Sequence, residues 1–233
     1  MRMSNIKSAF VLAAGLGTRM RPLTDEIPKP MLEVQGRTLI DRAIDRLLEV
    51  GVEQVVVNTF YLPETIERHL SKRNDVEIVF SRENKRLETG GGIKNALDLI
   101  GDKPFFVTSS DVIWQQKSSL EALVNNWHDD LYGLLLLHKA KDAYGYDGAG
   151  DFNLHEGGKI TFRDSDTANY VFTTIQILNP TVFYEAEIKK LGEVFSLTEV
   201  YRMFLNKYRA VENPGDWFHI GTPDALNGLG GFI

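Results

Sequence analysis

The sequence predicts an α/β fold, a doubly wound mixed sheet, on three observations. Short apolar runs alternate with segments of helical periodicity through the first half. The first of these runs empties into a turn of small residues, as strands of such sheets do where they meet ligands. The chain has 233 residues, 43% of them hydrophobic and 25% charged, and so suits one globular domain, expected to span 1–233.

The elements follow in order. Ser8–Leu12 reads as a buried first strand. Leu39, Ile40, Ala43, Ile44, Leu47 and Leu48 recur at helical spacing, and Gly51 stands where a helix C-cap belongs. Gln54–Asn58 is a β-branched strand, and Pro63 opens a helix through about Lys72 as a first-turn proline. Val76–Phe80 is the next strand, Gly92–Ile100 the next helix, and Pro104–Ser109 a strand ending at Ser110–Asp111. This rhythm implies parallel strands with helices on both faces. The second half is more mixed. It contains a strand at Leu131–His138, a hairpin at Asp151–Phe162 turning at Gly157–Gly158, and a strand at Tyr170–Leu178. A helix at Leu197–Asn206, short strands at Tyr208–Val211 and Trp217–Ile220, and a last helix capped by Thr222 close the chain.

Composition narrows the function classes. No apolar run approaches the ~20 residues that span a bilayer, and Met1–Lys7 does not read as a secretion signal. The absence of cysteine excludes disulfides and thiolate metal sites, and fits a cytoplasmic address. A net charge of −6 argues against nucleic acid or an anionic membrane as partner. Monomer and homo-oligomer both stay open.

Against that acidic background, the cations of Val11–Pro30 (VLAAGLGTRMRPLTDEIPKP) stand out. Ala13, Ala14, Gly15 and Gly17 let backbone N–H groups approach an anion. Arg19 and Arg21 offer planar forks for phosphate oxygens, and Lys29 a point charge. The alternative is a plain glycine-bearing strand-to-helix turn. Two familiar phosphate loops do not fit. Gly-Lys-Ser/Thr is absent, and Met20 stands where G-x-G-x-x-G needs its third glycine.

Three further segments carry candidate chemistry. Asp111, in TSSDVIW, is either a metal ligand or a turn cap. Glu88-Thr89-Gly90-Gly91-Gly92 is either a flexible turn or a backbone platform for a nucleobase edge, with Glu88 or Thr89 assisting. His219, in GDWFHIGTP, has three open roles: metal ligand, anchor of a metal-bound water, or phosphate contact. Asp164-Ser165-Asp166 reads as a solvated turn. His69, His128, His138 and His155 have no metal-ligand spacing, and Trp114 and Trp127 read as packing.

Leu12, Ala13, Ala14, Gly15, Gly17, Thr18, Arg19, Pro22, Thr24, Lys29 and Pro30 together resemble the signature of the sugar-phosphate nucleotidyltransferases. The resemblance covers nearly the whole chain. It implies a Rossmann-like mixed sheet of the nucleotide-diphospho-sugar transferase type. It also implies condensation of an NTP with a sugar 1-phosphate, giving an NDP-sugar and pyrophosphate. Under it, Leu12, Ala13, Ala14, Gly15, Gly17 and Thr18 bind nucleotide, and Glu88, Thr89 and Gly90 meet the base. Arg19 neutralises pyrophosphate, and Lys29 bridges the two reacting phosphates. Asp111 holds Mg2+, and Gly150, Asp151 and Thr174 line the sugar pocket.

This chain departs from the family pattern at Ser110, commonly Gly or Asn, and at His219, where the late W-x-D-I-G-T-P motif carries its second magnesium-binding Asp. Asp216 offers a compensating carboxylate. Imidazole suits Mn2+ or Co2+ better than Mg2+. The E-T-G-G-G string looks like the branch that uridylylates N-acetylmuramate 1-phosphate, with guanylyl transfer to mannose 1-phosphate as runner-up. Two other classes stay open: a catalytically silent NDP-sugar-binding relative, and a dinucleotide-binding oxidoreductase.

Overall fold

The computed structural model describes residues 5–231. Strand β1, Ser8–Leu12, buries Ala9, Phe10 and Val11 completely. The loop after it carries 3-10 turns at Thr18–Met20 and Lys29–Met31, then the short strands β2 (Glu33–Val34) and β3 (Arg37–Thr38). Helix α1 is Leu39–Glu49. Its N-cap Thr38 accepts the Asp41 N–H, and its apolar stripe buries Leu39, Ile40, Ala43, Ile44 and Leu47. Then come β4 (Gln54–Thr59), α2 (Pro63–Leu70), β5 (Glu77–Arg82), α3 (Glu88–Asn95), α4 (Leu97–Ile100) and β6 (Phe105–Ser109). The second half runs β7 (Val112–Trp114), α5 (Ser118–Asn126), β8 (Gly133–Lys139), β9 (Phe152–Leu154), β10 (Ile160–Phe162) and β11 (Tyr170–Leu178). It ends with α6 (Ala186–Lys190), α7 (Leu197–Phe204), β12 (Tyr208–Glu212), β13 (Trp217–His219) and α8 (Pro223–Asn227).

Strands β5, β4, β1 and β6 lie side by side and parallel. Strand β11 runs antiparallel to β6 and to β8, and β12 runs parallel to β8, so the sheet is mixed. The β9–β10 hairpin joins β11 where Phe152 faces Tyr170. Helices α1, α2 and α5 cover one face of the sheet, and α3, α4, α6 and α7 the other. Cover on both faces explains why Val55, Val56 and Val57 of β4 are all fully buried rather than alternating. The doubly wound expectation holds. Among the described residues no helix is long and apolar enough to cross a membrane.

Three local expectations change. The helix expected over Gly92–Ile100 starts earlier, at Glu88, and breaks at Ala96. Periodicity missed the start because three glycines give no apolar stripe. The hairpin turn is wider than a two-residue turn, with a 3-10 turn at Glu156–Gly158, although Gly157 and Gly158 do take positive φ of 70° and 73°. Strand β11 slips register between Phe172 and Gln176. This bulge carries Thr174 at φ 66°, a left-handed conformation that is strained for a β-branched residue.

Candidate active site

The carboxyl ends of the parallel strands open on one cavity of about 370 Å3. Leu12, Ala13, Ala14, Gly15 and Arg19 enter it from the end of β1 and its loop. Lys29 enters from the second 3-10 turn, Asn58 from β4, and Glu83 from just past β5. Arg86, Glu88, Thr89, Ser109, Ser110, Asp111, Thr174 and His219 also line it.

Buried polar contacts hold the loop. Ala13 N–H donates to Asn58 Oδ1 at 2.8 Å, and Asn58 Nδ2 donates to Glu83 Oε1 at 2.8 Å. Leu87 N–H donates to Glu83 Oε2 at 3.1 Å. Burial raises the Glu83 pKa, against the lowering effect of Asn58 and Leu87. Helix α3 approaches this relay so closely that a Cβ on Gly92 would lie 2.8 Å from Glu83 Oε1. The Ala14 and Gly15 N–H groups have no protein partner among the described residues, so they are free to meet an anion. Gly17, at φ 65°, and Thr18 lie outside the cavity wall. Gly17 shapes the loop, its carbonyl accepting the Thr24 hydroxyl at 2.8 Å.

The cations occupy distinct settings. Lys29 Nζ donates to Asp111 Oδ2 at 2.7 Å, with its side chain 11% exposed. Arg19 is exposed and has no ion pair or hydrogen bond among the described residues. Thr174 donates to Ser109 Oγ at 3.0 Å, and Ser109 donates to Asp111 Oδ1. Burial alone would raise the Asp111 pKa. The charge and hydrogen bond of Lys29, with Ser109, outweigh it and hold the carboxyl below its ordinary range.

Pairing of β13 with β7 sets His219 opposite Val112, next to Asp111. The ring stacks on Trp217 at 5.9 Å, and its Nδ1 is buried without a hydrogen-bond partner. Burial lowers the His219 pKa. Asp111 pulls it upward, and Lys29 and Arg19 push it further down. At neutral pH the imidazole is therefore uncharged and able to ligate. The described residues hold no cluster of three or more metal-ligating side chains. One carboxylate plus one neutral imidazole with an orphaned nitrogen fits an ion whose other ligands are substrate phosphates. Asp216 is exposed and outside the cavity.

The glycine string behaves differently from the expected free platform. Gly90 and Gly91 N–H groups both donate to Phe195 O at 3.0 Å, and Gly90 is outside the cavity wall. A Cβ on Gly91 would sit 2.1 Å from Glu193 O. These two glycines dock α3 against the Glu193–Phe195 segment. Thr89 lines the cavity while its hydroxyl accepts the Leu197 N–H at 2.9 Å, and Glu88, at φ 63°, pairs with Arg86 at 2.8 Å. Glu88 and Thr174 are thus two strained non-glycine residues on one cavity wall, where such conformations concentrate in functional sites.

Gly150 and Asp151 line a second cavity of about 380 Å3, and Thr174 is the wall it shares with the first. Asp151 Oδ2 accepts the Phe172 N–H at 2.8 Å. Neither Asp164 nor Asp166 touches either cavity. His69 pairs with Asp41 at 2.7 Å, His138 contacts Asn213 and His155 contacts Thr161, all away from the site. Asn58, Glu83 and Ser109 were not anticipated. Each stands at or just past the carboxyl end of a parallel strand, and that position was the available signal.

These features define an α/β protein with an anion-handling cavity at its strand ends. The chain belongs to the nucleotidyl transferase family, whose model matches residues 8–230. It is 37% identical over 230 residues to an N-acetylmuramate alpha-1-phosphate uridylyltransferase of Caulobacter vibrioides, covering 94% of this chain and 93% of that protein. It is 30% identical to the mannose-1-phosphate guanylyltransferase catalytic subunit beta of Drosophila melanogaster, covering 95% of this chain but 61% of that protein. The fold matches the inositol-1-phosphate CTP transferase from T. maritima with a TM-score of 0.83, at 21% identity, over 97% of this chain and 94% of that one. The chain is an enzyme of nucleotidyl transfer, as the first loop led one to expect.

Proposed function

We propose that this chain, acting as one domain, transfers uridylyl from UTP to N-acetylmuramate 1-phosphate and releases pyrophosphate. The observation that carries the reading is the Lys29–Asp111 pair at 2.7 Å, set beside free loop N–H groups in one strand-end cavity. The near full-length likeness to the Caulobacter uridylyltransferase supports the choice of substrate. The shorter coverage of the Drosophila protein makes guanylyl transfer to mannose 1-phosphate the second reading.

An oxygen of the sugar phosphate attacks the α-phosphorus in line. The nucleophile is already an anion, so the protein's task is positioning and charge neutralisation. Leu12 to Gly15 line the polyphosphate path, and Gly17 and Thr18 hold the loop's shape. Arg19, free of partners, neutralises the departing pyrophosphate. Lys29 reaches the α-phosphate and the incoming phosphate together. Glu88 and Thr89 border the base. Asp111 and His219 would hold a divalent ion, Mg2+ or a later metal, which would supply neutralisation of phosphate charge. Thr174 and Asp151 border the sugar.

The test is a panel of the four NTPs against several sugar 1-phosphates, read as pyrophosphate release. UTP with N-acetylmuramate 1-phosphate is expected to exceed GTP with mannose 1-phosphate in kcat/KM by at least about tenfold, because a site that hydrogen-bonds one base edge rejects another. The reverse ranking overturns the uridylyl assignment. Binding of NDP-sugar without any turnover would leave a silent relative.

A further inference from the structure

The second cavity carries a charge the transfer reaction leaves unused. Arg163 and Arg202 both line it, and Asp151 is its single acid among the described residues. Five other arginines are held by carboxylates: Arg37 by Asp45, Arg46 by Glu49, Arg73 by Asp41, Arg82 by Glu67 and Arg86 by Glu88. Arg163 and Arg202 are in no ion pair or side-chain hydrogen bond among the described residues. The Arg202 guanidinium lies 5.6 Å over the ring of Phe162, which lines the same cavity. Asp151 Oδ2 accepts the Phe172 N–H, and the charge of Arg163 acts on the same carboxylate without closing to a salt bridge. Two guanidinium groups against one acid leave the cavity with a surplus of one positive charge.

That surplus does not serve the transferred phosphates. Arg19 and Lys29 face those from the first cavity, on the other side of Thr174. A sugar seated across Thr174 therefore reaches the second cavity with its ring substituents, not with its 1-phosphate. N-acetylmuramate differs from N-acetylglucosamine by one group, a lactyl ether that ends in a carboxylate. A planar guanidinium matches a carboxylate through two parallel N–H donors.

We propose that Arg163 and Arg202 form the subsite that binds the lactyl carboxylate, so that this cavity selects the muramyl substrate over its neutral parent sugar. The inference rests on the uridylyltransferase reading above.

The experiment measures kcat/KM with UTP for N-acetylmuramate 1-phosphate and N-acetylglucosamine 1-phosphate. It compares wild type with Arg163→Gln, Arg202→Gln, the double variant and Arg202→Lys. Loss of one charged hydrogen bond to a ligand costs about tenfold. Each single Gln variant is expected to lose about that factor on the muramyl substrate, mainly in KM, while the neutral sugar changes less than about threefold. The double variant should treat the two sugars nearly alike, and Arg202→Lys should recover part of the loss. Retained turnover of the neutral sugar reports that the variants are folded. Equal losses on both sugars, or no loss on either, overturn the subsite while the uridylyl reading stands. A wild type that prefers GTP with mannose 1-phosphate overturns both.

Discussion

Replacing Lys29 with Ala is expected to lower kcat/KM by about a hundredfold or more, on the order of 3 kcal/mol of transition-state stabilisation. Lys29 is the buried cation of the cavity, and its ammonium already sits 2.7 Å from Asp111. Arg19→Ala is expected to cost turnover similarly, yet the two variants should differ in stability. Arg19 has no protein partner among the described residues, so its loss leaves folding unchanged. Lys29→Ala strands a carboxylate that burial penalises. The pH dependence follows from the depressed Asp111 pKa. A depressed carboxyl pKa contributes stability above its unfolded value of ~3.9, and that contribution is lost as pH falls through the folded value. The stability gap between wild type and Lys29→Ala should therefore be present at neutral pH and close on acidification. Urea unfolding from pH 7 down to 3 measures the gap, and steady-state kinetics the turnover. Near-normal kcat/KM in both variants would remove the phosphate-cradle assignment.

Asp111→Asn should be nearly as damaging, again about a hundredfold, because it removes the carboxylate of the Asp111–His219 pair and with it the hard oxygen ligand that Mg2+ favours. His219→Asp should cost far less, and it should move metal preference from Mn2+ or Co2+ toward Mg2+. Sequence alone sets the acid limb of activity near the ordinary imidazole pKa of ~6.5. Burial shifts it lower. Wild-type activity should hold as pH falls to ~6.5 and drop only below that, since the imidazole ligates only when neutral. An Mn2+/Mg2+ activity ratio unchanged by His219→Asp, with superimposable pH profiles, would take His219 away from the metal.

The parts of this site that were legible in the sequence share a physical cause. Ser8–Leu12 is a continuous apolar run because its sheet is covered on both faces, and the small residues after it are those that bring backbone near an anion. Lys29 and Arg19 stood out because the chain is acidic. What was hidden depended on pairing across the sheet. Asn58 and Glu83 look like ordinary polar strand ends until β1, β4 and β5 align. Thr174 is assigned to the sugar pocket through the family resemblance alone, because the bulge that turns it into the cavity leaves no mark on alternation. The glycines of α3 were readable as a turn or a base platform, but not as an approach to the Glu193–Phe195 segment about a hundred residues on. The free arginines of the second cavity depend on what does not contact them, which only the folded chain records.

The reaction proposed here joins two substrate phosphates directly, with no enzyme-bound nucleotidyl intermediate. The stereochemical course decides this. UTP made chiral at its α-phosphorus by one sulfur atom is turned over with N-acetylmuramate 1-phosphate, and the product's configuration is read by phosphorus NMR. A single in-line displacement inverts the centre. Retention would mean two displacements and a covalent intermediate on a side chain, and would contradict a cavity that acts only by positioning and charge.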